Sequence, residues 1–272
     1  MGYLCSLEVG LEVHHEDRES PEGELTKLKN RNATNTSGPG LVVAGGHTRE
    51  DLVSLEASRA GIIVAADSGM AVLSKMGIVP DVLLGDFDSL DQSVVRDAER
   101  AGVFVLRFPV EKDKTDTELA LDFLLEQGFD EARLVGALGG PRLDHELSNI
   151  FLLEKYIKQG LRVTIVHPGI FVAILSGHDG RWCWIDVPGG KGDWVSLFPI
   201  TELVTGVTLQ DLKFPLRDAT LRRGSTLSVS NQVSGPHPRV ELKEGILLLV
   251  VTAGRLGIVS EEDRPRPTVR LS

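Results

Sequence analysis

The sequence predicts an α/β domain on a parallel sheet, Rossmann-like and three-layered, followed by an all-β sandwich. Short apolar runs alternate with amphipathic stretches up to about residue 168, the pattern of strands covered by helices on both faces. Beyond that point strand-like segments recur at short intervals between Gly, Pro and Asp turns, without helical periodicity. The polar motifs of the first half sit where apolar runs give way to loops, the edge at which open α/β sheets bind ligands.

In order, the chain reads as a strand at 41–44, a helix at 49–60, a strand at 61–66 and a helix at 70–76. A strand at 82–84, a helix at 92–101 and a strand at 103–106 follow. The helix at 115–127 opens on Thr115 with Glu118 three residues on, a capping-box pattern. A strand at 133–136, a helix at 145–159 and a strand at 162–166 complete the alternation. The second half shows strand patterns at 182–187, 194–198 and 226–230, and a strand-length apolar run at 246–251. The expected division is a mobile polar extension at 1–39, a catalytic domain at 40–168, a sandwich at 169–258 and a flexible tail at 259–272.

Composition narrows the function. A formal net charge of -10 argues against a nucleic-acid binder, which needs a basic face for the phosphates. It suits a cationic substrate, or a phosphate substrate that brings its own metal. No apolar run approaches the roughly 20 residues of a membrane span, so no membrane partner is expected. Cys5 and Cys183 are far apart, which disfavours a disulfide framework and points to a reducing, cytoplasmic setting. Met1 to Ser6 matches the short N-myristoylation pattern, and Asn32 and Asn35 head glycosylation sequons; both patterns are short enough to arise by chance.

Chemistry concentrates in carboxylates. Asp86 and Asp88 flank Phe87 at the end of an apolar run, where both can turn toward one hard cation, or equally where the segment forms a turn or caps the next helix. Asp67 ends the preceding run, Asp113 and Asp116 follow the next, and Asp144 follows the one after. Four strand ends thus bring carboxylates to one edge, and their mutual repulsion calls for a cation among them. Glycines at 45, 46, 69, 85, 136, 139 and 140 permit backbone amides to approach phosphates. Arg142 offers a forked donor for phosphate oxygens, or equally an ordinary surface pair with Asp144. Neither a P-loop nor a dinucleotide-binding glycine fingerprint occurs.

Taken together, Ala66-Asp-Ser-Gly69, Gly85-Asp-Phe-Asp-Ser89, Asp113-Lys-Thr-Asp116, Gly136-Ala-Leu-Gly-Gly140 with Arg142-Leu-Asp-His145, and Ser230-Asn-Gln232 resemble the ordered motifs of thiamine pyrophosphokinases. The resemblance spans about 41–254. It implies transfer of diphosphate from ATP to thiamine, with Mg2+, by a homodimer whose active sites lie between subunits. It also implies Asp86, Asp88 and Asp116 as magnesium-associated carboxylates and Asp67 as an active-site acid. Arg142 and Asp144 become a nucleotide- and thiamine-proximal pair, and Ser230 and Asn231 the sandwich residues near thiamine. The residues expected to border the ligands are Gly85, Lys112, Asp113, Thr115, Gly139, Gly140, Arg142, Ser230 and Asn231.

The sequence departs from the family pattern in three places, one of them Pro141, which lengthens the glycine loop before Arg142. Ser68 stands where a glycine is more usual, and no tryptophan follows Asn231, so an aromatic face for the thiamine ring has to come from elsewhere. The alternatives are a diphosphokinase for another alcohol, such as a pterin, or a metal-dependent phosphohydrolase using the Asp-Phe-Asp segment.

Overall fold

The computed structural model describes residues 38–88, 90–178, 183–253 and 269–271. The expected extension, its lipidation pattern and its sequons lie outside these residues, apart from Gly38 and Pro39.

The first half alternates as its hydrophobic pattern demands. β1 (Gly40–Val43), α1 (Glu50–Arg59), β2 (Ile62–Ala66), α2 (Gly69–Lys75), β3 (Val82–Gly85), α3 (Gln92–Arg100) and β4 (Phe104–Arg107) run in sequence. α4 (Asp116–Glu126), β5 (Glu131–Val135), α5 (Leu143–Ile157) and β6 (Arg162–His167) follow. Strands β1, β2 and β3 carry no polar residue on either face, because both faces are covered. Val53 of α1, Leu73 of α2 and Val95 of α3 pack with Leu41, Val43, Ala65 and Leu83 in one apolar cluster. Helix α4 packs on β1, β2 and β3, and α5 on α4 and β6. Thr115 caps α4 as its spacing predicts, its Oγ1 accepting from the Glu118 amide at 3.2 Å.

The strands after β6 are β7 (Ile170–Gly177), β8 (Cys183–Asp186), β9 (Trp194–Pro199) and β10 (Leu203–Gln210). They continue through β11 (Ala219–Arg222), β12 (Asn231–Gln232), β13 (Arg239–Leu242), β14 (Gly245–Thr252) and β15 (Val269–Leu271). They form two sheets with a shared apolar core that includes Leu175, Ile185, Leu197, Val207, Leu242 and Leu249. Cys183 is a buried free thiol.

The two halves share a sheet. One ten-stranded sheet runs β12-β9-β14-β7-β6-β5-β1-β2-β3-β4, and a five-stranded sheet, β11-β10-β13-β8-β15, lies against its far end. The change from parallel to antiparallel pairing comes at β6 and β7, joined by Pro168 and Gly169. The expected division at 168/169 therefore marks a change of architecture inside a continuous hydrogen-bonded ladder.

Two local expectations are corrected. Residues 226–230 form a turn, not a strand, with the Val229 amide donating to Thr226 O at 3.1 Å. There the polar Ser228 is buried, its hydroxyl donating to Leu197 O at 2.8 Å, while Leu227 is exposed. The apolar alternation at 226–230 is thus inverted. Of the tail expected to be flexible at 259–272, residues 269–271 form β15, paired with β8; residues 254–268 and 272 lie outside the described residues.

Candidate active site

The acids are gathered by the way two strands end. The Asp67 amide donates to Leu84 O at 2.8 Å, which ties the end of β2 to β3. Gly85 ends β3 at φ 152°, and a Cβ there would sit 3.1 Å from Asp67 Cβ, so its bare backbone lets Asp67 lean over the strand end. Phe87 then takes φ 60°, a strained value for an aromatic residue. Its buried ring lies under the Arg107 guanidinium, 5.2 Å from ring centre to carbon. Phe87 turning inward leaves Asp86 and Asp88 on the solvent side, and the Asp88 amide donates to Asp86 Oδ1 at 3.3 Å. As a result, carboxylate oxygens of Asp67, Asp86 and Asp88 lie within 4.8 Å of one another.

Lys112 provides a countercharge. Its ammonium is 2.5 Å from Asp86 Oδ2 and 3.0 Å from Asp116 Oδ1. Burial opposes its charge, yet the two carboxylates outweigh burial and raise its pKa. Burial also pushes Asp86 up, but the Lys112 ammonium and the Asp88 amide overcome it and hold the carboxyl below its ordinary value. Asp88 moves the other way, raised first by the charge of Asp86 and then by their shared hydrogen bond. Asp116 is raised by burial, against the pull of Lys112. The cluster therefore carries more negative charge than Lys112 relieves.

Asp67, Asp86 and Asp88 fit a divalent hard cation: all three offer carboxylate oxygens, at a separation one ion bridges, on a face open to phosphate ligands. The sequence grouped Asp116 with Asp86 and Asp88. The structure brings Asp67 to that pair, and Asp116, within reach of the charges of Asp86 and Asp67, shares the Lys112 ammonium with Asp86.

The remaining expected residues spread outward from this centre. Asp113 is exposed on the loop before α4. Arg142 grips Asp144 in a forked pair, Nε at 2.9 Å and Nη2 at 2.5 Å, with both side chains exposed. That hydrogen bond holds Asp144 down at about 2. Of the glycine amides expected to face phosphate, that of Gly46 donates instead to Gly136 O at 2.8 Å, binding the β1 and β5 loops together. Gly140 is open on its Cβ side.

Ser230 and Asn231 sit at the far edge of the large sheet. Asn231 is buried; its Nδ2 donates to Phe214 O at 2.7 Å and its Oδ1 accepts from Phe214 N at 3.0 Å and from Gln232 N at 2.9 Å. The amide is occupied in pinning the backbone of an exposed aromatic residue. Sequence reasoning passed over His47 and His167, whose rings are neighbours, tilted by 57° with centres 6.1 Å apart. The signal was available, because His167 ends β6 as Asp67 follows β2.

Comparison with known proteins resolves what this arrangement belongs to. Residues 53–165 match the profile described as the thiamin pyrophosphokinase catalytic domain, and residues 184–247 that of the thiamin pyrophosphokinase vitamin B1 binding domain. The thiamine pyrophosphokinase of Bacillus subtilis is 31% identical over 188 residues, covering 69% of this chain and 85% of that protein. The chain belongs to the thiamine pyrophosphokinase family. The crystal structure of the Bacillus subtilis enzyme superposes with a TM-score of 0.69 at 28% identity, over 79% of this chain and 99% of that one. That of Geobacillus thermodenitrificans thiamin pyrophosphokinase gives 0.67 at 32% identity, over 80% and 99%. As a thiamine pyrophosphokinase, the chain carries its acid cluster, Lys112 and Arg142 within the catalytic match, and Ser230 and Asn231 within the vitamin-binding match.

Proposed function

We propose that the protein transfers the β- and γ-phosphates of ATP together to the hydroxyl of thiamine, giving thiamine diphosphate and AMP, with Mg2+ in the cytoplasm. The observation that carries this reading is the convergence of Asp67, Asp86 and Asp88, with Lys112 beside them, in a chain of this family. Among the described residues no helix is long and apolar enough to cross a membrane.

In this reading the thiamine hydroxyl attacks the β-phosphorus in line. An O–P bond forms to thiamine, and the bond to the bridging oxygen breaks, leaving that oxygen on AMP. Asp67, Asp86 and Asp88 would hold magnesium, which would neutralise polyphosphate charge. Lys112 keeps Asp86 ionised and oriented, and Asp116 keeps Lys112 in place. Asp67 and Asp144 are the two carboxylates placed to orient the hydroxyl or take its proton. Arg142 lies on the loop after β5, where its remaining donors suit phosphate oxygens.

The same reading takes the active protein to be a homodimer, and two features support it. β12, with Asn231, stands seven strand spacings from β2, roughly 34 Å at about 4.8 Å each. A molecule the size of thiamine does not bridge that distance, so a site that uses both motifs joins two copies. Leu143, Leu147 and Phe151 also form an exposed apolar stripe along α5, at 67%, 45% and 58% exposure, and Trp194 and Phe198 are exposed on β9.

Incubation with magnesium-ATP and thiamine tests the proposal. AMP and thiamine diphosphate in equal amounts are expected. Phosphate release without an acceptor, or turnover of a pterin alcohol in place of thiamine, would refute it.

A further inference from the structure

The strand order reverses beside β1: its neighbours are β2 on one side and β5 on the other, with β6 beyond. In open α/β sheets the crevice at such a reversal is where ligands settle, because the flanking loops part to opposite faces. Here the loops are first zipped together, Ala44 N to Val135 O at 2.9 Å and Gly46 N to Gly136 O at 2.8 Å, and then diverge. His47 and Thr48 follow on one side and Gly139 on the other. His167, at the end of β6, closes the group. A Cβ on Gly139 would lie 2.9 Å from His47 Cβ and 3.0 Å from His167 Cε1, so only a bare backbone passes between the two imidazoles.

Two polar atoms around this crevice are buried with no hydrogen-bond partner among the described residues, Thr48 Oγ1 and His167 Nδ1. Buried polar groups are ordinarily satisfied, and an orphan marks a place completed by a ligand or water. Thr48 precedes Arg49, the N-cap of α1, and its hydroxyl donates to no backbone group of that helix. None of these residues belongs to the acid cluster, which lies across β1 on the β2 and β3 side.

We propose that His47, Thr48 and His167 form the seat for the nucleoside part of the diphosphate donor, with the polyphosphate crossing β1 to reach Asp67, Asp86 and Asp88. This rests on ATP being the donor. From β6 to β2 is three strand spacings, roughly 14 Å, a span that an extended nucleoside triphosphate covers. Burial, and then the charge of His47, hold His167 below its ordinary pKa, against a hydrogen bond with the His47 backbone and the charge of Glu146. A neutral imidazole offers one donor and one acceptor, which suits a base or ribose edge better than a phosphate.

The test is equilibrium binding to the full-length protein of two magnesium complexes, ATP and inorganic tripolyphosphate, which lacks the nucleoside. Thr48→Val and His167→Phe should each weaken ATP about tenfold while leaving tripolyphosphate unchanged, and Thr48→Ser should bind ATP like the wild type. In turnover, KM for ATP should rise with kcat nearly constant. Unchanged ATP affinity in both variants would overturn the inference and leave the donor assignment standing. Parallel loss of both ligands would also overturn it, since the residues would then serve phosphate or the fold. A wild-type protein that binds neither ligand would remove the donor reading and this inference together.

Discussion

The ammonium of Lys112 lies 2.5 Å from Asp86, inside a ring of carboxylates that would otherwise repel one another. Replacing Lys112 by Met keeps the length of the side chain and removes its charge. Asp86 and Asp116 are then left with an unrelieved charge, and stability at neutral pH should fall by about 2–3 kcal/mol. Because the Lys112 pKa is raised in the folded protein, its contribution is complete below the ordinary lysine value and disappears as pH rises through the folded one. Urea titrations should therefore separate the wild type from Lys112→Met at pH 7 and bring them together in strong alkali.

Asp88 makes an opposite prediction. Asp86 raises its pKa, so the ionised form is disfavoured by folding, and that penalty grows as pH climbs through the raised value. In chelator at neutral pH, Asp88→Asn should melt at or above the wild-type temperature. With millimolar magnesium the wild type should gain stability and the variant should not, while the variant's turnover falls by at least about a hundredfold. Equal magnesium stabilisation of both proteins would show that Asp88 is not a ligand.

Tyr156 gives a test unconnected with catalysis. Its hydroxyl is 2.8 Å from Asp122 Oδ1 and from Glu118 O, and Asp122 also receives Lys114 at 2.8 Å and Lys155 at 3.3 Å. Tyr156→Phe should cost about 1–2 kcal/mol in chemical denaturation with kcat unchanged. Burial opposes the ionisation of Asp122, but Lys114 and Tyr156 prevail and lower its pKa. Its stabilising contribution is thus present above the ordinary Asp value and is lost as pH falls through the folded one. The gap between wild type and variant should narrow in acid.

If the site joins two copies, complementary defects should rescue one another. Asp88→Asn and Asn231→Ala are each expected to be nearly inactive. Mixed and re-equilibrated, they form hybrid dimers with one intact site of two, and activity should recover to about a quarter of the wild type. An unchanged residual activity after verified subunit exchange would place both motifs of each site on one chain.

The legible part of the molecule was its local grammar. Asp67, Asp86 and Asp88 were found because each follows an apolar run, and Thr115 because a capping threonine with Glu118 three residues on has a fixed geometry. Partners distant in sequence were less accessible. Nothing in the spacing of Asp116 shows that Lys112 stands between it and Asp86, or that the Gly46 amide is taken by Gly136 O. Residues 226–230 misled because strand periodicity is read on the assumption that apolar side chains point inward. There a serine is satisfied by Leu197 O and the leucine faces out.

The shared ten-stranded sheet has a mechanical consequence. Between β6 and β7 there is no linker about which the helical half and the sandwich can swing, only two residues and a ladder of backbone bonds. Closing one half over the other would require tearing that ladder, so the two halves move as one stiff beam. Any clamping on a substrate then has to come from loops, or from one beam sliding against another.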